Sequence, residues 1–171
     1  MGTVDPLVAQ LWFEFVDSDR SGLLTAKELR QALEIGGLDY SLPQAYMFVR
    51  AFDSKNNQKL NVNEFVELHK FLSSVTDAFV GVAGAAGRSV SGEQALAALG
   101  RLGYTLDPSA GQAMLQRHDI EGKGVFGRDD FLRIALFMHT SRRAFQAFDT
   151  ARSGRVDFTF NQFCYASSFL A

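Results

Sequence analysis

Two stretches of the chain, residues 65–82 and 131–148, carry apolar side chains at the spacing of one helix face. The apolar positions of the first stretch are Phe65, Leu68, Leu72, Val75, Phe79 and Val82. Five of the six equivalent positions 66 residues later are again apolar, namely Phe131, Ile134, Met138, Phe145 and Phe148, and the sixth is Ser141. Neither stretch contains proline, so each is predicted to be one helix of about 27 Å with one buried face.

Polar loops of twelve residues recur with the same outer period of 66 residues. They are predicted at residues 17–28, 53–64, 83–94, 119–130 and 149–160, with starts separated by 36, 30, 36 and 30 residues. The eighth position is apolar in every loop, and its residues are Leu24, Leu60, Val90, Phe126 and Val156. An apolar residue there is typical of a loop that pairs with a neighbouring loop through a short strand.

The alternating separations predict the helix count. A separation of 36 leaves room for two helices and a turn between loops, whereas 30 leaves room for one helix shared by two loops. We therefore predict an all-α fold of five EF-hands from about eight helices, with helices shared between hands two and three and between hands four and five. Short β pairings join the loops, and residues 1–171 form a single domain. The alternative for the Gly- and Ala-rich residues 81–92 is a flexible linker.

Loop one, residues 17–28, has the residue types that a calcium loop needs. Calcium is a hard cation that takes six to eight oxygen ligands. The predicted metal-binding residues are Asp17, Asp19, Ser21, Leu23, Thr25 and Glu28. Leu23 would contribute its carbonyl oxygen, Thr25 a bridging water and Glu28 both carboxylate oxygens. Gly22 supplies the positive φ that the sixth loop position requires.

Loops two and three are poorer calcium loops. Loop two keeps Asp53 and Glu64 but has Lys55 at the third position and Gln58 at the sixth. An ammonium beside the metal repels it, and a residue other than glycine is strained at positive φ. Loop three, which has Ala85 at its third position, offers almost no acidic oxygen and is predicted to bind no metal.

Loops four and five are also incomplete. Loop four has Lys123 at the fifth position and the shorter Asp130 in place of the bidentate glutamate, so magnesium or weakly bound calcium is the most that we expect there. Loop five lacks ligands at its third and twelfth positions, where Ala151 and Phe160 stand. Calcium is therefore the expected cofactor, with magnesium as an alternative in the weaker loops.

The charge and the cysteine count exclude several classes of function. The formal net charge of −2 gives no basic field for a nucleic acid. The one cysteine, Cys164, favours a reducing, cytoplasmic location. Its place in the repeat predicts a core position, and no histidine has a sequence context that pairs it with the thiol, so we do not expect an enzyme.

The 36-30-36-30 layout, together with residues 17–22 and 102–106, resembles the penta-EF-hand family, which includes sorcin, grancalcin, the calpain small subunit and the programmed-cell-death calcium sensor. The resemblance implies that hands one and two pair, that hands three and four pair, and that hand five pairs with a second chain. That chain is either another copy, joined near Val156, or a different penta-EF-hand chain. Phe160, Phe163 and Phe169 would otherwise be left uncovered.

Three functions remain open. The leading hypothesis is a calcium sensor or adaptor that binds calcium mainly through hand one and regulates the binding of a hydrophobic or Pro-rich peptide of a partner protein. The alternatives are a regulatory chain of a heterodimeric enzyme, like the calpain small subunit, and a calcium-independent scaffold. Any membrane association is expected to be indirect.

Overall fold

A computed structural model describes residues 6–84, 86–168 and 170 of the chain. Within these residues there are eight helices and one two-stranded sheet, as predicted. The elements are α1 (Pro6–Val16), α2 (Ala26–Ile35), α3 (Leu42–Phe52), α4 (Val62–Ala83), β1 (Ser89–Ser91), α5 (Gly92–Arg101), α6 (Pro108–His118), β2 (Val125–Gly127), α7 (Arg128–Phe148) and α8 (Phe160–Ser167). No described helix combines the length and the hydropathy of a membrane-spanning segment.

The chain divides into two compact units, residues 1–74 and 75–171. The first unit holds loops one and two, and the second holds loops three, four and five. The division falls inside α4, one of the two predicted shared helices. The prediction that all five hands form a single domain stays a prediction.

The loops pair through their apolar eighth positions, as the sequence predicts. In the first unit, the amide of Leu24 donates to the carbonyl of Leu60 at 2.7 Å, and the reverse hydrogen bond is 2.9 Å long. In the second unit, β1 and β2 are antiparallel, with Val90 opposite Phe126. All four side chains are buried. Residues 81–92 therefore contain a paired strand, and the linker alternative is wrong.

The two shared helices differ in how much of their apolar face is covered. Helix α4 buries Phe65, Leu68, Leu72, Val75 and Phe79. Helix α7 buries Phe131 and Ile134 near its start, but Phe145 near its end is exposed. The predicted core position of Cys164 is wrong, because this residue is exposed on α8. The helices that flank loop five thus lack the cover that paired hands give one another.

Four of the eight described helices begin with the same cap. A Ser or Thr hydroxyl accepts a hydrogen bond from the amide three residues later, and the side chain of that later residue accepts one from the cap amide. The pairs are Thr25 and Glu28, Ser41 and Gln44, Ser91 and Gln94, and Thr159 and Gln162. Glutamate and glutamine therefore serve equally as the third residue of these helices.

Candidate calcium site

Loop one brings three carboxylates together between α1 and α2. Oxygen atoms of Asp17, Asp19 and Glu28 all lie within 4.8 Å of one another. Calcium–oxygen distances are 2.3–2.6 Å, so two ligands on opposite sides of one ion are at most about 5.2 Å apart. Among the residues that the structure describes, no other group of three His, Cys, Asp or Glu side chains meets this condition. The donor set and its spacing therefore fit a calcium ion.

The first residue of the loop fixes the backbone that follows it. One oxygen of Asp17 accepts a hydrogen bond from the amide of Gly22 at 2.8 Å, and Gly22 has φ +71°. Three other loops form the same bond, at 2.6 to 2.8 Å, between their first and sixth residues. Those pairs are Asp53 and Gln58, Asp119 and Gly124, and Asp149 and Gly154. The turn is thus a property of the scaffold and does not by itself identify a metal site.

Ser21 organises the middle of loop one. Its amide donates to Asp17 and Asp19, each at 3.0 Å, and its hydroxyl donates to the carbonyl of Leu23 at 3.0 Å. The Ser21 hydroxyl and amide lower the pKa of the Asp19 carboxyl, and the charge of Lys59 from loop two contributes a smaller effect in the same direction. Asp19 therefore stays ionised, which is the form that a metal requires.

Glu28 has a second role that the sequence interpretation missed. Its carboxylate accepts hydrogen bonds from the amide and the hydroxyl of Thr25, at 2.9 and 2.7 Å, and so caps α2. The capping pattern of Thr followed three residues later by Glu was present in the sequence and was a usable signal. Glu28, which is predicted to be a metal ligand, thus also caps the N-terminus of α2.

Loop two satisfies its carboxylates with its own donors. Both Asp53 and Glu64 are buried. Although burial acts to raise the pKa of Glu64, hydrogen bonds from Ser54 and Asn61 bring it below its ordinary value. Asp53 accepts from the amides of Lys55 and Gln58. These contacts stabilise the loop through protein groups alone.

We expect Gln58→Gly to raise the free energy of unfolding by about 0.5 to 1 kcal/mol. Gln58 has φ +61°, which costs a residue with a Cβ about 1–2 kcal/mol, whereas the added chain entropy of glycine costs about 0.5–1 kcal/mol. Chemical denaturation measures the change. Lys59→Gly is the matched control and should destabilise, because Lys59 is not at positive φ. A Gln58→Gly protein less stable than the wild type would contradict the strain assignment.

Two of the acidic residues of loop four are paired with cations. The ammonium of Lys123 forms an ion pair with Glu121, and the guanidinium of Arg133 forms one with Asp130. Hydrogen bonding and the charge of Glu121 raise the pKa of Lys123, and Asp119 adds a smaller effect, so the ammonium stays charged beside these oxygens. A metal ion would have to compete with both cations.

Loop five differs from loop one in the residues at its third and twelfth positions. Loop five repeats the loop-one geometry, since Ser153 donates through its amide and hydroxyl to Asp149 and through its hydroxyl to the carbonyl of Arg155. It nevertheless has Ala151 and Phe160 where loop one has carboxylates. In loop three, the predicted third position, Ala85, lies outside the described residues.

Comparisons with known proteins agree with this geometry. The family model for an EF-hand domain pair matches residues 8–70. The chain is 30% identical over 167 residues to a peflin from Danio rerio, a match that covers 95% of this chain and 62% of that peflin. The chain thus spans less than two thirds of the length of the peflins it matches.

Two further relatives are matched over nearly their whole length. A sorcin from Schistosoma japonicum is 30% identical over 152 residues, which cover 88% of each chain. A solved structure of a homolog of programmed cell death 6 protein from Leishmania major Friedlin superimposes with a TM-score of 0.63 at 28% identity, and covers 100% of this chain and 99% of that one. The chain therefore belongs to the penta-EF-hand family of calcium-binding proteins.

Proposed function

We propose that this protein is a calcium sensor or adaptor that binds calcium through hand one and thereby changes its affinity for a partner protein. The observation that carries the proposal is the convergence of Asp17, Asp19 and Glu28 within 4.8 Å. The Ser21 hydroxyl, the Leu23 carbonyl and a water held by Thr25 complete the proposed ligand set. None of the relatives named above bears the name of an enzyme, which supports a non-enzymatic role.

The placement of the ligands supplies a route from metal binding to a structural response. Asp17 directly follows α1, which ends at Val16, and Glu28 lies in the first turn of α2. A shared metal would tie the end of one helix to the start of the next. Glu28 would then be drawn from its hydrogen bonds with Thr25 toward Asp17. We propose that the resulting change in the positions of α1 and α2 is the signal.

The remaining loops act as scaffold in this proposal. In loop two, both carboxylate oxygens of Glu64 accept hydrogen bonds, one from Ser54 and the other from Asn61, and in loop four ion pairs engage Glu121 and Asp130. Magnesium or weakly bound calcium in these loops is secondary to the site in loop one. We further propose a cytoplasmic location, since a single cysteine, Cys164, suits a reducing compartment.

We propose that hand five joins this chain to a second penta-EF-hand chain. Phe160 and Phe163 on α8 are 79% and 58% exposed. Val156, the eighth residue of loop five, belongs to no strand in the described part of the chain. Phe169, also predicted to lie on this face, is outside the described residues. A second copy gives a homodimer, whereas a different chain gives the regulatory subunit of a heterodimeric enzyme.

Hydrogen exchange and light scattering test these proposals separately. We expect calcium to slow amide exchange in loop one and at the start of α2, because the metal fixes residues 17–28. Exchange that is unchanged in saturating calcium would favour the calcium-independent scaffold. Light scattering on the same sample should give twice the mass of one chain. A monomer at all concentrations would favour a missing, different subunit.

A further inference from the structure

We propose that the groove between α1 and α2 is a docking site for an amphipathic helix of a partner protein, one that carries a large apolar side chain flanked by lysine or arginine. The inference deepens the proposed adaptor function and rests on it. It assigns a place and a chemistry to the partner.

The groove has a volume of about 450 Å³ and lies entirely within the unit of residues 1–74. Its lining residues are Phe15, Val16, Ser18, Gln31, Glu34 and Ile35. Phe15 is 80% exposed and Ile35 is 46% exposed. Phe15 therefore buries little of its apolar area within the fold.

Helix α1 carries two apolar stripes, and the fold covers one of them. Ala9, Phe13 and Val16 are buried. Leu11, which is 63% exposed, lies one helical turn before Phe15, and the exposed Leu7 lies one turn earlier still. The second stripe therefore extends the groove along α1 for about 12 Å, or two turns of a docked helix.

The walls of the groove favour a helical occupant. Both walls are α-helices, whose backbone amides and carbonyls are already paired within each helix. An extended peptide would find no strand edge to pair with and would therefore gain no backbone hydrogen bonds from the groove. A helix satisfies its backbone internally and presents side chains at the same three- and four-residue spacing as α1.

The charge around the groove favours a basic occupant. Glu34 lines the groove, its lining residues include no cation, and the exposed Glu14 lies next to Phe15 on α1. Lysine or arginine at the edge of a docked helix would meet this field, whereas an acidic helix or an anionic bilayer would be repelled.

Synthetic peptides test the proposal directly. The probe is a peptide of about 14 residues with leucine and one central phenylalanine on one face and lysine on the other. The matched peptide has glutamate in place of each lysine, and a scrambled peptide keeps the composition without the apolar face. Binding is measured by fluorescence polarisation on the full chain, with and without calcium. We expect the lysine peptide to bind with a dissociation constant below about 100 µM and the other two at least about tenfold more weakly.

Variants of the groove show where the peptide binds. We expect Phe15→Ser to weaken the lysine peptide at least about tenfold and Glu34→Lys to remove the preference for lysine over glutamate. Tyr46→Ser is the matched control, because Tyr46 is an exposed aromatic residue of α3 in the same unit. Circular dichroism and the calcium affinity of each variant should match the wild type, which separates this test from the test of the metal site.

Any of three peptide results would overturn the proposal: no binding of the lysine peptide, equal binding of the glutamate peptide, or equal losses from Phe15→Ser and Tyr46→Ser. Binding of neutral phosphatidylcholine vesicles that Phe15→Ser abolishes, without peptide binding, would assign the groove to a membrane and would also overturn it. Retention of peptide binding in Glu28→Gln, together with loss of calcium binding, would support the docking site and show that calcium does not control it.

Discussion

The Glu28→Gln protein is expected to bind calcium at least about 100-fold more weakly than the wild type, a loss of about 2.7 kcal/mol. Glu28 is one of three carboxylates that meet within 4.8 Å, and it is the one that comes from α2. The substitution removes one negative charge and one of the two carboxylate oxygens while keeping the size of the side chain. Isothermal titration calorimetry measures the change.

The chain provides its own evidence that this substitution leaves α2 intact. Gln44, Gln94 and Gln162 fill the same capping position at the starts of α3, α5 and α8. Glutamine at residue 28 should therefore still accept the hydrogen bond from Thr25. Glu64→Gln in loop two is the matched control and should leave the tight calcium affinity unchanged. Equal calcium affinity of the wild-type and Glu28→Gln proteins would contradict the assignment of the calcium site to loop one.

Phe65→Ala is expected to lower the free energy of unfolding of the first unit by about 4 kcal/mol. Phe65 is fully buried on α4, and its ring packs edge-on against Phe13 of α1 at a centroid distance of 6.0 Å. Truncation removes this contact and leaves a cavity among closely packed side chains. Denaturation followed by the fluorescence of Trp12, the only tryptophan of the chain, reports on this unit.

Phe163→Ala is the control for a phenylalanine at helical spacing that the fold leaves exposed. At protein concentrations low enough to keep the chain monomeric, this variant should differ from the wild type by less than about 0.5 kcal/mol. Equal costs for Phe65→Ala and Phe163→Ala would show that the packing assigned to α4 is wrong.

The loops could be predicted from sequence because their geometry is local. An aspartate at the first position and glycine at the sixth form a turn within a few residues, and the apolar eighth position pairs across a fixed distance. Leu24 with Leu60 and Val90 with Phe126 follow from this register. The 30-residue separations likewise required α4 and α7 to be continuous.

Which apolar positions of each helix are buried could not be predicted in the same way. Phe79 and Phe145 occupy equivalent places in the repeat, yet Phe79 is buried and Phe145 is exposed. Helical period identifies a face but not what packs against it, which depends on whether a partner hand is present. The same reason explains why the core prediction for Cys164 failed.

The region around the candidate site was also only partly predictable from the sequence. The ligand residues follow from the loop pattern, whereas the groove beside them does not. Leu11 and Phe15 also have the spacing of a buried stripe, and helical period does not tell whether a second apolar stripe of α1 is covered. The structure shows that Leu11 and Phe15 are exposed while Phe13 and Val16 are buried.

The number of calcium ions bound tightly by the wild-type chain tests the central claim most directly. Equilibrium dialysis at saturating free calcium in the micromolar range should give one ion per chain, since loop one alone brings three carboxylates together among the described residues. Two or more tightly bound ions, or none, would contradict the account.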